Sequence, residues 1–529
     1  MELLMGIDVG TTTIKCMIFD VDGKILASAS TEYPTYYPKP EWAEQNAEDW
    51  WEGAVKVIRE CLRRVDPKDI VGISVSSQRE GVVLIDEEGR PLDRVIIWMD
   101  RRSRPQAEWI SKNFDVKEIY RRTGLIVDPT WTATKLLWIR ENKPELLEKC
   151  KYMLQAKDYV VYKLTGEITT DHSIAYRTML YDINKWAWWD EFFEELKLPR
   201  EKFPEPRYSD EVVGFVTNEA ARVTGLRPGT PVVGGGGDRS CEILGSGCIV
   251  PQIIEESTGT GSTTATTIER PIFDEKMRVL VGTHVMRGRW SIEVGMSTAG
   301  AILRWFRDQL CFPEKLAAAI MRRRAYELMD MQVEYIPPGS HGLIILPFFM
   351  GARAPRWMPY ARGVIFGLML FHTRAHIARA IMEAVAYEIR KILEVLEELG
   401  LRVKEIRALG GGGKTPLWCR IKADVTGKRV VVPEVLDAAC LGDAILAGVG
   451  TGLFKGYEEA VRRMVKVKWS FDPSEENMKV YDKLYRIYND LIEALKPLFP
   501  KMAEFMEIPT EVPKWDVEKL IHLLYKLEA

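Results

Sequence analysis

Residues 3–19 read LLMGIDVGTTTIKCMIF, and residues 253–269, which read IIEESTGTGSTTATTIE, repeat the same pattern. Each segment is an apolar run, a turn rich in glycine and threonine, and a second run of β-branched residues. Apolar runs on either side of such a turn predict two strands joined tightly. Predicted helices and strands alternate along the rest of the chain, which indicates an α/β fold. The repeat predicts two α/β halves with a cleft between them.

The length of 529 residues exceeds what one hydrophobic core usually supports. We therefore predict an N-terminal domain over 1–250, a C-terminal domain over 251–470 and a helical extension over 471–529. Apolar periodicity places several helices, among them Ser103–Asn113, Ala133–Asn142, Pro313–Met329, Arg374–Leu399 and Pro416–Thr426.

Composition excludes several classes of partner. The formal net charge of -3 argues against a nucleic-acid or anionic-membrane surface, so a small-molecule partner is expected. The eight cysteines are scattered without a CxxC pair, which predicts neither a disulfide framework nor a zinc site.

No signal peptide or membrane span is visible in the sequence, and we expect a cytoplasmic protein. The candidate assembly is a homodimer. Abundant Lys, Arg and Glu with sparse Asn and Gln favour a thermophilic source.

Three loops have the composition of phosphate-binding turns. Asp8–Lys15, DVGTTTIK, offers a carboxylate, backbone amides, hydroxyls and a cation, although it lacks the spacing of a Walker loop. Thr258–Ser262, TGTGS, repeats the donors without a carboxylate, and Gly410–Gly413 precedes a predicted helix. Each loop alone is also compatible with an ordinary turn. Their occurrence together predicts a polyphosphate site.

The stretch Val232–Ser240, VVGGGGDRS, combines an apolar run, a glycine run and an aspartate beside an arginine. We predict a tight turn here, because glycines are tolerated where the main chain bends sharply or is approached closely. Asp238 has two interpretations, a cap for the helix that follows or a carboxylate that carries chemistry.

A candidate acceptor motif follows the predicted strand Ile70–Ser76. Gln78, Arg79 and Glu80 should emerge at the edge of the sheet, where α/β folds bind ligands. An arginine beside a glutamate supplies donors and acceptors that suit a polyhydroxylated molecule. The alternative is a solvated ion pair on a loop.

The chain resembles the FGGY family of carbohydrate kinases, within the actin/Hsp70/sugar-kinase fold group. The resemblance extends over residues 5 to about 465 and rests on ordered motifs: DVGTTTIK, EQNAEDWW, SSQREGVVLID, WMDRRS, TATKLLW, GGGGDRS, STGTGS, RGVIFGL and LGGGGKTPLWCRIKADVTGKRV. It implies two ribonuclease-H-like domains that close over ATP, Mg²⁺ and a sugar or polyol. The N-terminal domain would bind the acceptor and the C-terminal domain the nucleotide.

The resemblance also implies roles for individual residues. Asp238 would be the general base, and Asp8 together with Asp238 would hold magnesium. Phosphate contacts would come from Gly10, Thr11, Thr12 and Lys15. The nucleotide would lie along Gly259, Thr260, Gly300, Gly411 and Gly412.

The substrate motifs are mixed between two subfamilies. The SQRE segment is similar to glycerol kinases, which have a tyrosine where this chain has Thr130 and a glutamine where it has Arg239. The segment GARAPRWMPYARGVIFGL is closer to xylulose kinases. We therefore expect a ketopentose such as xylulose to be phosphorylated on a terminal hydroxyl, with glycerol or another short polyol as the alternative. An Hsp70-like or activator-type ATPase without a sugar acceptor is the alternative from another class. The expected acceptor residues are Gln78, Arg79, Glu80, Thr130, Asp238 and Arg239.

Overall fold

A computed structural model describes residues 1–505, and the chain forms two compact units within this range. The first unit comprises residues 1–254, 265–293 and 433–467. The second comprises 255–264, 294–432 and the described residues from 468 onward. This division differs from the continuous segments predicted above, because residues 433–467 pack in the first unit and the start of the predicted extension packs in the second. Residues 506–529 of that extension lie outside the described part.

The first unit is built on a six-stranded sheet. The strand order across the sheet is Val212–Phe215, Pro231–Gly237, Ile70–Ser77, Leu3–Val9, Thr13–Asp20 and Ile25–Glu32. Ile70–Ser77 runs parallel to both neighbours, whereas the hairpins at the two sides of the sheet are antiparallel. The second and third strands along the chain are joined by a turn in which Gly23 has φ 81°. Side chains such as Ile7, Trp50 and Tyr159 form the core beneath the sheet.

Helices cover this sheet and fill the connections between its strands. They span Ala47–Cys61, Arg104–Asn113, Val116–Thr123, Thr132–Asn142, Pro144–Lys149, Ala156–Thr165, His172–Ala175, Asp190–Leu196, Asn218–Thr224, Asp238–Gly245, Ala438–Gly450 and Tyr457–Met464. Short strands pair as Glu44–Gln45 with Val95–Ile96, Val83–Ile85 with Tyr152–Leu154, Thr170–Asp171 with Pro206–Arg207, and Tyr181–Asp182 with Ala187–Trp188. Leu280–Thr283 pairs antiparallel with the residues from Trp290 to Glu293.

The glycine run at 234–237 belongs to a strand, so the predicted turn is wrong. Pro231–Gly237 continues as a strand until Asp238, with an irregular register between Val233 and Gly236. The glycines are explained by close approach. A Cβ on Gly235 would lie 2.0 Å from the carbonyl oxygen of Val75, and one on Gly237 would lie 2.7 Å from Cδ of Arg79. Bare backbone therefore lets neighbouring groups pack against this strand.

The second unit has its own sheet. This sheet has seven strands, in the order Leu280–Thr283, Trp290–Met296, Ser262–Ile268, Ile253–Thr258, Glu405–Leu409, Arg429–Pro433 and Val467–Phe471. Ile344–Leu346 and Val364–Phe366 form a separate antiparallel pair. The helices span Gly300–Leu310, Phe312–Met321, Ala325–Val333, Arg374–Glu398, Gly410–Gly413, Pro416–Thr426, Glu475–Leu495 and Phe499–Ala503. The core of this unit lies around the long helix Arg374–Glu398.

Most of the predicted helices are confirmed to within a residue or two, including Pro416–Thr426. The predicted helix Pro313–Met329 is wrong, because the structure has two helices there. Phe312–Met321 ends at Arg322, which adopts a left-handed conformation with φ 52°, and Ala325–Val333 begins after it. A left-handed residue cannot continue an α-helix, and the run of arginines gives no apolar contact to hold the helix together.

The state of the cysteines and the character of the helices can be described for residues 1–505. All eight cysteines are free and buried. Among the helices of residues 1–505, none combines the length and the apolar composition that crossing a membrane requires.

Candidate active site

Asp238 lies where the glycine strand ends, as the first residue of the helix Asp238–Gly245. Its Oδ1 is 3.2 Å from Nε of Arg79 and accepts a hydrogen bond of 2.7 Å from the backbone N–H of Arg239. The side chain is 35% exposed, in contrast to the glycines before it, which are buried. The carboxylate is therefore held by one ion pair and one backbone hydrogen bond, and it is still open on one side. The interpretation of Asp238 as a helix cap is wrong, because Gly237 is the N-cap residue and no side chain caps this helix. The interpretation as a carboxylate that carries chemistry stays a prediction.

Parallel strand pairing brings Arg79 to Asp238. Gly237 pairs with Ser77 at the ends of two neighbouring parallel strands, so the residues that follow both strands meet at one edge of the sheet. The missing Cβ of Gly237 leaves room for the stem of Arg79. The QRE motif and the GDR motif, which are distant in sequence, thereby come together.

Arg79 belongs to a buried ring of alternating charges, which we call the charge ring: Arg79, Glu80, Arg177 and Glu293. Arg79 donates from Nη1 and Nη2 to the two carboxylate oxygens of Glu293 at 3.0 and 2.9 Å. Arg177 donates to Glu80 at 2.5 Å and lies 3.4 Å from Glu293. Nε of Arg79 is 3.9 Å from Glu80, which closes the ring.

The electrostatics of the charge ring favour the ionised forms of Arg79, Arg177 and Glu293. Burial opposes the charge of Arg79, yet the carboxylates of Glu293, Asp238 and Glu80 raise its guanidinium pKa well above the ordinary value. Burial likewise raises the pKa of Glu293, but Arg79 and Arg177 outweigh it and the net pKa is lowered. Two positive and two negative charges balance, which is the condition under which buried charges are tolerated.

Sequence reasoning missed Arg177 and Glu293. Arg177 lies in a short 3₁₀ turn, Tyr176–Thr178, and carries no recognised motif. Glu293 could have been noticed in the sequence, because it is a charged residue within the otherwise mostly apolar strand Trp290–Met296. In the structure its side chain is only 11% exposed. A carboxylate buried in a strand calls for a cationic partner, although the sequence does not say which one.

The backbone of Glu80 is held in an unusual conformation. Its φ is 72°, in the left-handed region that non-glycine residues seldom occupy. Its carbonyl oxygen accepts hydrogen bonds from Nζ of Lys135 at 3.0 Å and from the Thr132 hydroxyl at 3.1 Å, while its N–H donates to Gln155 at 2.9 Å. Burial lowers the pKa of the Lys135 ammonium to about 7. Such strain persists only where the surroundings over-determine it, which is common at binding sites.

The three remaining predicted acceptor residues contact side chains outside the ring, and Arg239 also helps to lower the pKa of Glu293 in the ring. Gln78 is buried and donates to Gln45 at 2.6 Å. The Thr130 hydroxyl donates to Asp128 and accepts from Arg101 at 3.1 Å. Arg239 forms an ion pair of 2.5 Å with Glu242 on its own helix.

The hairpin Asp8–Lys15 carries its polar groups at the turn between the first two strands. Asp8 pairs across the hairpin with Lys15 and accepts from the Ser76 hydroxyl at 3.2 Å. Burial and the nearby Asp238 raise the pKa of Asp8 to about 7, although Lys15 opposes this. Lys15 itself is 2.5 Å from Asp437. The N–H of Gly10 donates to the carbonyl of Thr13, Thr11 accepts from Trp98 at 2.9 Å, and Thr12 is exposed.

The second unit contains a cavity of about 330 Å³, which we call the glycine cavity. All five residues predicted to lie along a nucleotide line it: Gly259, Thr260, Gly300, Gly411 and Gly412. A Cβ on Gly300 would lie 2.4 Å from the carbonyl oxygen of Gly259, so the helix that starts there packs directly on the TGTGS loop. Sequence reasoning missed the wall opposite the loops, which includes Leu303, Arg304, Tyr326, Asp330, Lys414 and Trp418.

A buried polar network supports the floor of the glycine cavity. Lys422 donates to Glu256 and, at 2.9 Å, to the Thr258 hydroxyl. Glu256 also accepts from Thr258 at 2.5 Å and from Ser262 at 2.6 Å. All four residues are fully or almost fully buried. The network fixes both ends of the TGTGS loop to the helix Pro416–Thr426.

The charge of the glycine cavity suits a polyphosphate. Arg304 and Lys414 line it as exposed cations, and neither has an ion-pair partner among residues 1–505. Together with the backbone amides of the glycine loops they provide donors for phosphate oxygens.

Family models match most of the chain. The N-terminal domain of the FGGY family of carbohydrate kinases matches residues 3–245, and the C-terminal domain matches residues 256–451. Glycerol kinase from Saccharolobus islandicus is 33% identical over 509 residues, covering 94% of this chain and 96% of the relative. Glycerol kinase 1 from Saccharolobus solfataricus is 34% identical over 511 residues, with 94% and 96% covered. These thermophilic sources agree with the composition of the chain.

Solved structures agree with the family models. Xylulose kinase from Rhodospirillum rubrum superposes with a TM-score of 0.86 at 28% identity, covering 94% of this chain and 100% of that one. The predicted α/β fold of two ribonuclease-H-like domains, of the actin/Hsp70/sugar-kinase type, is thereby confirmed. The chain belongs to the FGGY family of carbohydrate kinases and is an ATP-dependent phosphotransferase of that family.

Proposed function

We propose that this kinase transfers the γ-phosphoryl group of ATP to a terminal hydroxyl of a small, uncharged ketose or polyol, with Asp238 as the general base. The observation that carries the proposal is the Asp238 carboxylate, oriented by Arg79 and partly open to solvent. An alcohol is a weak nucleophile, and a carboxylate within hydrogen-bond reach accepts its proton as the phosphoryl group is transferred.

The charge ring supports an uncharged acceptor. Its two guanidinium groups are matched by two carboxylates, and Asp238 adds one further negative charge beside Arg79. A sugar acid would bring another anion beside three carboxylates, those of Glu80, Asp238 and Glu293, whereas hydroxyl groups can donate to Glu80 and accept from Arg79. We assign the acceptor hydroxyls to Arg79, Glu80 and Asp238, and we keep Gln78, Thr130 and Arg239 as residues that shape this pocket.

A ketopentose such as xylulose is the first candidate acceptor. Thr130 stands where glycerol kinases have a tyrosine, and the shorter side chain should enlarge the acceptor pocket. Glycerol is the second candidate, because the relatives at 33% and 34% identity are named glycerol kinases and the chain carries the QRE triplet. An Hsp70-like or activator-type ATPase gives no reason for an oriented Asp238 beside a strained Glu80 and is not favoured.

The glycine cavity is the proposed site of ATP in the second unit. The flat backbone of Gly259, Gly411 and Gly412 would lie along the nucleotide, with Thr260 and the residues around Gly300 completing the contact. In the first unit, the proposed phosphate contacts are Gly10, Thr11, Thr12 and Lys15. The N-terminal domain would bind the acceptor and the C-terminal domain would bind the nucleotide.

The residues around Asp8 fit Mg²⁺. Magnesium prefers oxygen ligands and is usually bound by one or two carboxylates together with substrate phosphates. Asp8 and Asp238 are near enough for Asp238 to raise the pKa of Asp8, so a cation held by them would relieve a repulsion that Lys15 only partly offsets. No larger cluster of metal-binding side chains exists in the described part of the chain. When bound, Mg²⁺ would neutralise charge on the phosphate oxygens.

The experiment that tests the function is ADP release with ATP and Mg²⁺ in the presence of single acceptors. The panel contains xylulose, ribulose, glycerol, erythritol and gluconate. We expect a ketose or polyol to stimulate ADP release well above the basal rate and gluconate to have no effect. A panel in which no neutral acceptor stimulates ADP release would contradict the proposal.

Arg177 provides a further prediction for the acceptor side. Replacing it by methionine leaves Glu80 without its closest cation, so we expect the KM for the acceptor to rise about tenfold or more while the KM for ATP stays unchanged. Arg177→Lys should recover part of the loss because it restores the charge. Arg278→Met, which removes another largely buried arginine from an ion pair with Asp274, controls for general destabilisation. An Arg177→Met enzyme with an unchanged acceptor KM would show that the ring does not position Glu80.

A further inference from the structure

The glycine cavity contains one carboxylate that the protein leaves without a partner. Asp330 lies on the helix Ala325–Val333 and lines the cavity. Within residues 1–505 its carboxylate makes no hydrogen bond or ion pair. The two acidic residues near it on the chain are paired: Glu327 with Arg324 at 3.0 Å and Glu334 with Arg420 at 2.6 Å. The absence of a partner therefore distinguishes Asp330 from the two acidic residues near it on the chain.

Leaving this carboxylate unpaired costs stability. Burial raises its pKa to about 6, and the neighbouring carboxylates Glu334 and Glu327 add to this effect. A partly buried charge without a hydrogen-bond donor is unfavourable, and such positions are concentrated at functional sites. A ligand that offers an N–H or O–H group would remove the cost.

The chemistry of the cavity limits what that ligand group can be. Phosphate oxygens are anionic and would be repelled by Asp330, so the carboxylate must face another part of the nucleotide. Leu303, Tyr326 and Trp418 line the same cavity and supply apolar and aromatic surface, which suits a nucleoside. The hydrogen-bond donors of a nucleoside are its ribose hydroxyls and the amino group of its base.

We propose that Asp330 recognises the nucleoside part of the phosphoryl donor by accepting hydrogen bonds from its O–H or N–H groups. This inference rests on the proposed function, because it takes the glycine cavity as the site of ATP. It adds a residue that selects the phosphoryl donor. Selectivity for the nucleoside would then come from the wall of the cavity opposite the glycine loops.

The test measures Kd by calorimetry for the full chain and two variants, Asp330→Asn and Asp330→Ala. The ligands are ATP, ITP, which has a carbonyl in place of the amino group, and the 2′-deoxy and 3′-deoxy forms of ATP. Glu334→Gln is the matched control, since it removes a neighbouring charge that does not line the cavity. Both Asp330 variants should fold, because they remove an unpaired charge, and thermal unfolding checks this.

We expect wild type to bind at least one analogue about tenfold or more weakly than ATP, and Asp330→Ala to bind ATP and that analogue equally. Loss of discrimination against ITP would identify the amino group, and loss against a deoxy form would identify the ribose. Equal effects of Asp330→Ala on all four ligands, or no effect on any, would overturn the inference. A wild-type protein that binds none of the nucleotides would instead remove the proposed donor site, which is a distinguishable result.

Discussion

Asp238→Asn is expected to lower acceptor-dependent phosphoryl transfer by a factor of about 10²–10⁴ while ATP affinity is retained. The amide keeps the shape of the side chain and can still accept from the N–H of Arg239, but it cannot take the proton of the attacking hydroxyl. Arg79 would remain in place through its two hydrogen bonds to Glu293. Initial rates of ADP release with a saturating acceptor measure the effect, and calorimetry measures ATP binding.

The control for this substitution is Asp22→Asn, which removes an exposed aspartate that pairs with Arg463. It should leave the rate unchanged because an exposed ion pair contributes little. If Asp238→Asn retained a rate within tenfold of wild type, another group would have to act as the base.

Lys422→Met is expected to destabilise the second unit by roughly 3–5 kcal/mol, because it leaves the buried carboxylate of Glu256 without its cation. The hydroxyls of Thr258 and Ser262 would still donate to Glu256, but they cannot neutralise it. Thr258 borders the glycine cavity, so ATP affinity should fall as well. Thermal unfolding and ATP binding measure the two effects.

A double variant separates the lost charge balance from the lost side chain. Lys422→Met combined with Glu256→Met replaces the buried pair by apolar groups and should recover much of the stability. Lys428→Met is the control, because its pair with Glu397 is partly exposed and worth about 1 kcal/mol or less. A Lys422→Met protein as stable as this control would show that the network does not support the cavity.

Local chemistry explains which features could be predicted from the sequence. The strands that flank Asp8–Lys15 and Thr258–Ser262 follow from short apolar runs around glycine and threonine, and the helix Pro416–Thr426 follows from its periodicity and proline start. The five residues expected along the nucleotide were predicted from the resemblance to the FGGY family, and all five line one cavity.

Long-range contacts explain what could not be predicted. Arg79 and Glu293 are separated by 214 residues and Arg177 and Glu293 by 116, so no spacing rule connects them. The glycine run predicted as a turn is a strand, since its glycines serve close packing against Val75 and Arg79. Residues 433–467 join the first unit because the helix Ala438–Gly450 brings Asp443 to within 2.7 Å of Ser76, a tertiary contact that the sequence does not reveal.

The central claim is that the γ-phosphoryl group is transferred to a hydroxyl of a neutral sugar or polyol. Phosphorus NMR of the products tests it most directly, after incubation of the wild-type protein with ATP, Mg²⁺ and the acceptor that best stimulates ADP release. We predict one sugar or polyol phosphate monoester for each ADP formed. Inorganic phosphate in equal amount to ADP, with the acceptor unmodified, would contradict the claim.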